Sequence, residues 1–180
     1  MREVNPEMEP KKANVREILN YLKEFVKNPV LKITEIPSWD WMSLLIVQIT
    51  FAVISGVLAG AIKLNFLRAL SGIFLMPIVS TISSMLLTTF FYYYFQFFEN
   101  RTESYRRLFA FVTLASIPFY IFQIVSEYFP PVTLVGFGFT SLLCVVGLTE
   151  NFRVDRKRAY QIAVFLYLLV LATWLLNKNI

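Results

Sequence analysis

The chain has no histidine and only one cysteine, Cys144, among its 180 residues. The lack of histidine removes the commonest metal ligand and the usual general base near neutral pH. A single cysteine within an apolar run provides neither a disulfide framework nor a cysteine-rich metal site. We therefore predict no metal, no cofactor and no enzymatic activity.

Charge is also scarce, since charged residues make up 16% of the chain compared with about 25% in soluble domains. Hydrophobic residues make up 57%, above the typical range of roughly 45 to 50%. A soluble protein of this length needs more charge on its surface. The composition therefore predicts an integral membrane protein, and the length indicates a single domain.

Five apolar segments approach the length of about 17 to 25 residues with which a helix crosses a bilayer. The predicted spans are residues 41–62, 73–97, 108–128, 132–148 and 159–176. The fourth is the shortest and contains three glycines, so a re-entrant segment is the alternative there. The predicted fold is all-α, with a five-helix transmembrane domain at 41–176 after an N-terminal segment at 1–40.

Lysine and arginine are concentrated on one side of these spans. Fourteen precede the first span or lie in the second-to-third and fourth-to-fifth connections, and three lie on the other side. Because basic loops favour the cytoplasm, we expect a cytoplasmic N-terminus and an outside C-terminus. The candidate contacts for a protein partner or an anionic lipid are Arg101, Arg106, Arg107, Arg153, Arg156, Lys157 and Arg158.

Residues 14–28 have the periodicity of an amphipathic helix within a polar part of the chain. Asn14 is suited to cap this helix, and Pro29 marks its end. Its apolar positions are Val15, Ile18, Leu19, Leu22, Phe25 and Val26. Three placements of this apolar face are open: in the cytoplasmic leaflet, against the ends of the spans, or on a protein partner.

The second span ends in an aromatic run, TTFFYYYFQFF, in which every residue from Phe90 to Phe98 except Gln96 is aromatic. On a helix these rings point in all directions, as suits lipid and neighbouring helices rather than water. A nucleic-acid stacking platform needs interleaved basic residues, and these begin only at Arg101. We therefore predict an interfacial aromatic belt and no nucleic-acid partner.

No span has an ionisable residue near its middle, which disfavours a pump or proton-coupled transporter. Glu127 is placed at the outer interface, where we favour a solvated carboxylate over an ion pair with Lys63 or Arg68.

Two rows of small residues repeat every four positions, so each makes a groove in which another helix comes close. That helix belongs either to the same chain, which we favour, or to a second copy. Proline inside a span frees a backbone carbonyl and bends its helix. The packing candidates are Ala52, Gly56, Gly60, Ser80, Ser84 and Thr88, and the kink candidates are Pro77 and Pro118.

The stretch Ser104-Tyr105-Arg106-Arg107-Leu108-Phe109, followed by Ala115-Ser116-Ile117-Pro118-Phe119, resembles the Yip family (Ypt/Rab-interacting proteins), particularly its prokaryotic members. In that family a Ser-aromatic-basic opening precedes a third span with Ala-Ser-x-Pro. Pro130-Pro131, Gly147-Leu148 and the basic loop before Ala159 agree with it. The resemblance implies a five-span protein with a cytoplasmic N-terminus.

Eukaryotic members of the family are associated with small GTPases and membrane traffic, but the Asp-Leu-Tyr-Gly-Pro type of motif of that branch is missing here. The resemblance therefore favours a prokaryotic plasma membrane protein. Our first hypothesis is a non-enzymatic membrane adaptor or organiser that acts through its basic cytoplasmic face, alone or as a homo-oligomer. The alternative is a small channel or transporter subunit, with Gly136-Phe137-Gly138, Pro118 and the hydroxyls of the second span along its path.

Overall fold

The computed structural model of the chain describes residues 11–178, and these residues form helices. The only β pairing among them is an isolated bridge between Lys11 and Trp39. Residues 1–10 of the predicted N-terminal segment, including Arg2, lie outside the described residues. The helices are α1 (Val15–Lys27), α2 (Pro29–Lys32), α3 (Trp41–Ile62), α4 (Phe66–Phe98), α5 (Tyr105–Ala115), α6 (Ile117–Ser126), α7 (Val132–Glu150) and α8 (Arg156–Lys178).

Five stretches of helix in this part of the chain are long and apolar enough to cross a membrane. They are α3, α4, α5 together with α6, α7, and α8, with mean hydropathies from 1.9 to 2.3. The prediction of an all-α integral membrane protein with five spans is confirmed. The fourth span, α7, is one helix of 19 residues, and this length favours a full crossing over a re-entrant segment.

Three spans begin earlier than their apolar runs, including the third, where α5 begins at Tyr105 rather than at residue 108. α4 begins at Phe66 rather than at residue 73, because the Asn65 side chain accepts a hydrogen bond from the Arg68 backbone N–H at 3.0 Å and so caps the helix. α8 begins at Arg156 rather than at residue 159, and the Asp155 carboxylate accepts from the Lys157 N–H at 3.1 Å. A charged first turn is tolerated because it lies at the end of the span, where long side chains reach polar partners.

The spans pack in a consistent order. α3 lies along α4 and also against α5 and α6, whereas α7 packs against α6 on one side and α8 on the other. The main core cluster lies where the loops before α5 and α8 meet, around the fully buried Phe95, Phe111 and Phe152. α8 is the least buried span, since 17% of its apolar window is buried inside the protein.

The two proline kink candidates differ in their surroundings. The third span is interrupted at Ser116, two residues before Pro118, so that α5 ends at Ala115 and α6 begins at Ile117. The Ser116 hydroxyl donates to the Val112 carbonyl at 2.8 Å, and the Ser116 backbone N–H donates to the same carbonyl at 3.0 Å. Pro77 instead lies within the uninterrupted α4.

The glycine row of α3 faces α4 of the same chain at very short range. A Cβ atom added to Gly56 would lie 2.5 Å from the Cα atom of Gly72, and one added to Gly60 would lie 2.3 Å from the Ala69 nitrogen. These backbones can approach so closely only because neither Gly56 nor Gly72 has a side chain. Ala52, in the same row, is also fully buried.

We expect Gly56→Ala to lower the free energy of unfolding by about 1 to 3 kcal/mol, because the added methyl group overpacks the contact between α3 and α4. Gly138→Ala is the matched control, since its Cβ would meet only Tyr167, at 3.9 Å. Thermal unfolding of both variants in the same detergent measures the difference. Equal midpoints for the two variants would contradict the close approach of α3 and α4.

Candidate functional site

The basic end of the bundle, made of residues 11–40, 99–107 and 151–158, contains all seven predicted contact residues. Arg106 donates to the carbonyls of Ser38 and Trp39 at 3.3 and 3.0 Å. Arg107 donates to the Asn151 carbonyl at 3.1 Å, and Arg101 donates to the Phe152 carbonyl. The carbonyls of loops and helix ends have no partner within a helix, so these guanidinium groups connect three separate segments.

Aromatic rings also contact two of these arginines, Arg101 and Arg107. The Arg101 guanidinium lies 4.8 Å from the ring centre of Phe95, and that of Arg107 lies 5.1 Å from the ring of Phe152. Glu103 lies 3.4 Å from Arg101. Burial raises the pKa of the Glu103 carboxyl, while Arg101 and Arg107 act in the opposite direction.

Arg158 has an ionic partner of its own. Its guanidinium lies 3.0 Å from the Glu99 carboxylate, which also accepts a hydrogen bond from the Tyr94 hydroxyl at 3.2 Å. This pair joins the first turn of α8 to the end of α4. Four of the seven predicted contact residues, Arg101, Arg106, Arg107 and Arg158, thus make internal contacts at the basic end.

The other three predicted contact residues form an exposed basic patch, Arg153, Arg156 and Lys157. None of them forms a salt bridge within residues 11–178. The Arg156 guanidinium lies 5.8 Å from the ring of Tyr160. Arg153 has a φ of 50°, which turns the chain sharply between the buried residues Phe152 and Val154. The structure thus separates these three cations from the four that hold the fold together.

α1 also belongs to the basic end and docks on the ends of the spans. Its Ile18 and Phe25 are buried, and its Tyr21 ring meets that of Trp39 edge-on at 5.2 Å. The Tyr21 hydroxyl donates to the carbonyls of Lys32 and Glu35 at 3.0 and 3.1 Å. Burial, and then the charge of Glu35, raises the Tyr21 pKa, so the phenol keeps the proton that it donates.

The aromatic run of α4 divides between the protein interior and its surroundings. Phe91 and Phe95, four residues apart, are fully buried and meet Phe111 and Phe152 at ring distances of 5.8 and 5.4 Å. Phe97 and Phe98 are 69% and 70% exposed. The run therefore serves both as core and as outward-facing surface.

The sequence did not predict a polar network inside the bundle, because its members are neutral side chains on three different helices. Gln48 is fully buried, and its side-chain amide nitrogen lies 2.8 Å from the Ser84 hydroxyl and 2.7 Å from the Tyr120 hydroxyl. The same nitrogen lies 3.2 Å from the Ser80 carbonyl. The Ser55 hydroxyl donates to the Tyr120 carbonyl at 2.8 Å. Gln48 and Ser55 are seven positions apart on one helix face, and this was the available signal.

The network also shows which helix lies against the second row of small residues, Ser80, Ser84 and Thr88. Ser80 and Ser84 face Gln48 of α3, and Thr88 donates to the Ser84 carbonyl at 2.7 Å. The row thus contacts a helix of the same chain.

The expectation for Glu127 was wrong. Its carboxylate is 14% exposed and accepts from the Arg68 Nε at 3.0 Å, and the Lys63 Nζ lies 3.4 Å away. The acid is therefore shared by two cations at the opposite end of the bundle rather than solvated. Helix α6 brings Glu127 back to the start of α4, and this proximity does not follow from the local sequence.

Residues 11–178 contain no group of three or more His, Cys, Asp and Glu side chains that can hold a metal ion. Cys144 is buried, and three carboxylates of the basic end, Glu99, Glu103 and Asp155, have the arginine and backbone partners described above. What the arrangement offers is positive charge and hydrogen-bond donors at one end of an apolar bundle.

We expect Arg101→Gln to lower the free energy of unfolding by about 1 to 3 kcal/mol, because the Phe152 carbonyl loses a charged donor. Arg156→Gln is the matched control, since it removes the same charge from the exposed basic patch. Thermal unfolding of both variants in one detergent measures the effect. The structural role of Arg101 is refuted if both variants unfold at the same temperature.

We expect Gln48→Leu and Tyr120→Phe to be non-additive, because each removes one partner of the same 2.7 Å contact. A double-mutant cycle in detergent micelles measures the coupling free energy. The expected value is about 0.6 to 1.7 kcal/mol, as for other hydrogen bonds between membrane helices. Additive effects would show that the two side chains do not interact.

Comparison with curated proteins gives no match, and comparison with solved structures gives none either. A family model, described as the Yip1 domain, matches residues 24–176. The match runs from the last turn of α1 through all five spans, so it includes the buried network and all of the basic end except residues 11–23. The resemblance read from Ser104 to Phe119 is thereby confirmed. The chain is an integral membrane protein that belongs to the Yip1 domain family.

Proposed function

We propose that the protein is a non-enzymatic adaptor of a prokaryotic plasma membrane, with its basic end in the cytoplasm. In this proposal the exposed basic patch, Arg153, Arg156 and Lys157, binds an acidic surface of a cytoplasmic or membrane protein. The observation that carries it is the division of the seven basic candidates. Four make internal contacts, whereas these three are exposed and, unlike the exposed Arg158, form no salt bridge within residues 11–178.

The patch is held in a fixed conformation, which supports a role in binding. Phe152 and Val154 are buried on either side of Arg153, and the Val154 N–H donates to the Leu148 carbonyl at 3.0 Å. Asp155 then caps α8. A loop that is already ordered loses less conformational entropy on binding than a free loop does. Three cations within five residues also steer an acidic partner towards this end.

The channel alternative has less support from the packing. Gly136 packs against α6, where an added Cβ would lie 2.8 Å from the Cβ of Phe122, and the tilted rings of Phe119 and Phe137 have their centres 4.6 Å apart. The Ser84 hydroxyl of α4 instead lies 2.8 Å from the side-chain amide of Gln48, which also meets the Tyr120 hydroxyl of α6. Packed side chains thus stand between the two sets of residues suggested for a path.

The proposal is tested by photo-crosslinking of the full chain in native membranes, with the probe at Glu150, which is exposed beside the patch. We expect an adduct with a defined protein. Its yield should fall about tenfold or more when Arg153, Arg156 and Lys157 are all changed to Gln, which corresponds to about 1.4 kcal/mol of binding free energy.

The matched control changes Lys12, Arg16 and Lys23 to Gln, which removes the same charge from α1 and the residues just before it. This control should keep the adduct. Equal yields from the two triple variants would refute a role for the patch, and adducts with lipid alone would refute the adaptor function.

A further inference from the structure

α1 leaves part of its apolar surface uncovered after it docks on the bundle. Val15, Leu19 and Val26 are 69%, 60% and 60% exposed, although the neighbouring Ile18 and Phe25 are buried. At about 100° per residue, positions 15, 19 and 26 lie within about 40° of one another. They form a narrow apolar stripe directly beside the buried face of the helix.

A basic stripe follows the apolar stripe around α1. Positions 16, 23 and 27 also lie within about 40° of one another, and they carry Arg16, Lys23 and Lys27. None of these three forms a salt bridge within the described residues, whereas Glu17 and Glu24 on the far side pair with Lys11 and Lys32 at 3.1 and 2.9 Å. Around the circumference of α1, the buried face is therefore followed by the apolar stripe, the basic stripe and an acidic side.

We propose that α1 lies in the bilayer interface at the basic end, with its apolar stripe among the acyl chains and its basic stripe at the phosphates of anionic lipids. An apolar stripe beside a lysine and arginine stripe is typical of helices that lie in the membrane plane. The surface is separate from the exposed basic patch, so the inference does not depend on the proposed adaptor function.

The position of α1 in the fold supports this placement. Ile18 packs in one cluster with Trp39, Leu44 and Phe109, at the very start of α3 and α5. α1 is therefore at the level where the spans leave the bilayer. Trp41, in the first turn of α3, is 39% exposed, and a partly exposed tryptophan at the end of a span suits the head-group region.

Charge complementarity selects an anionic leaflet over a second copy of the chain. A symmetric pairing of two copies through the apolar stripe would bring their basic stripes close together, because a twofold interface uses the same surface on both sides. Like charges at such an interface oppose association. Anionic lipid phosphates instead neutralise Arg16, Lys23 and Lys27 and leave the apolar stripe to the acyl chains.

The test uses the full chain with Cys144→Ala and a single cysteine in place of Leu19 or of Asn20. Leu19 lies in the apolar stripe, and the exposed Asn20 lies outside it. Each cysteine carries an environment-sensitive fluorophore, and the protein is placed in phosphatidylcholine vesicles with or without phosphatidylglycerol. Lipids with a spin label on the acyl chain report contact with the membrane, and iodide reports contact with water.

We expect the Leu19 probe to be quenched several-fold more strongly by the spin-labelled lipid than the Asn20 probe. The difference should grow with phosphatidylglycerol and shrink when Lys23 and Lys27 are changed to Gln. A second stripe probe at Val26 should behave as the one at Leu19, and this shows that the result does not depend on one substitution.

Each other outcome overturns the proposal. Equal lipid quenching at Leu19 and Asn20, or ready quenching of Leu19 by iodide, places the stripe in water. Shielding of Leu19 from both quenchers places it against protein, and cross-links between copies would then identify a dimer. Lipid quenching that is independent of phosphatidylglycerol removes the role of the basic stripe.

Discussion

The constraint on which the structure depends is that the bilayer interior provides no hydrogen-bond partner for the backbone. Inside the spans the helices satisfy their own peptide groups, so the unsatisfied carbonyls collect where helices end. Side chains from elsewhere in the chain then supply the missing donors. Arg106 does so for Ser38 and Trp39, the Asn151 amide does so for Ile33 at 2.8 Å, and the Tyr128 hydroxyl does so for Ile62 at 2.9 Å.

The same constraint gives the basic residues two separate tasks. Lysine and arginine excess on one side of the spans is a topological signal, and it says nothing about contacts. In the folded chain, four of these cations also hold the segment before α3, the loop before α8 and the start of α8 in place through carbonyls, aromatic rings and Glu99. The proposed partner surface therefore uses only the exposed cations that have no ionic partner within residues 11–178. Among the seven predicted contact residues, these are the three of the exposed basic patch.

The solvent and the number of spans were predictable because hydropathy over about 20 residues reports them directly. The family was readable from a local pattern, Ser104 to Phe119. What the sequence did not reveal were partnerships between distant segments. Gln48 meets Tyr120 across 72 positions, and Glu127 meets Arg68 across 59. Each contact depends on which helices pack side by side, and the local periodicity of the sequence does not predict that packing. The early start of α4 was missed for a related reason, since Arg68 in its first turn is acceptable only because Glu127 lies beside it.

The position of the exposed basic patch links the proposed function to the core. Two of its three residues, Arg156 and Lys157, lie in the first turn of α8. This helix is the least buried span and packs mainly on α7. Its orientation therefore depends on two nearby anchors: the Arg158–Glu99 pair at 3.0 Å and the Phe152 ring, which lies 5.4 Å from the rings of both Phe95 and Phe111. A partner bound at Arg156 and Lys157 thus acts on a helix whose first turn is fixed to α4 while most of its length faces outward. In this arrangement the aromatic run of α4 does more than face lipid, because Phe95 supports the loop that presents the patch.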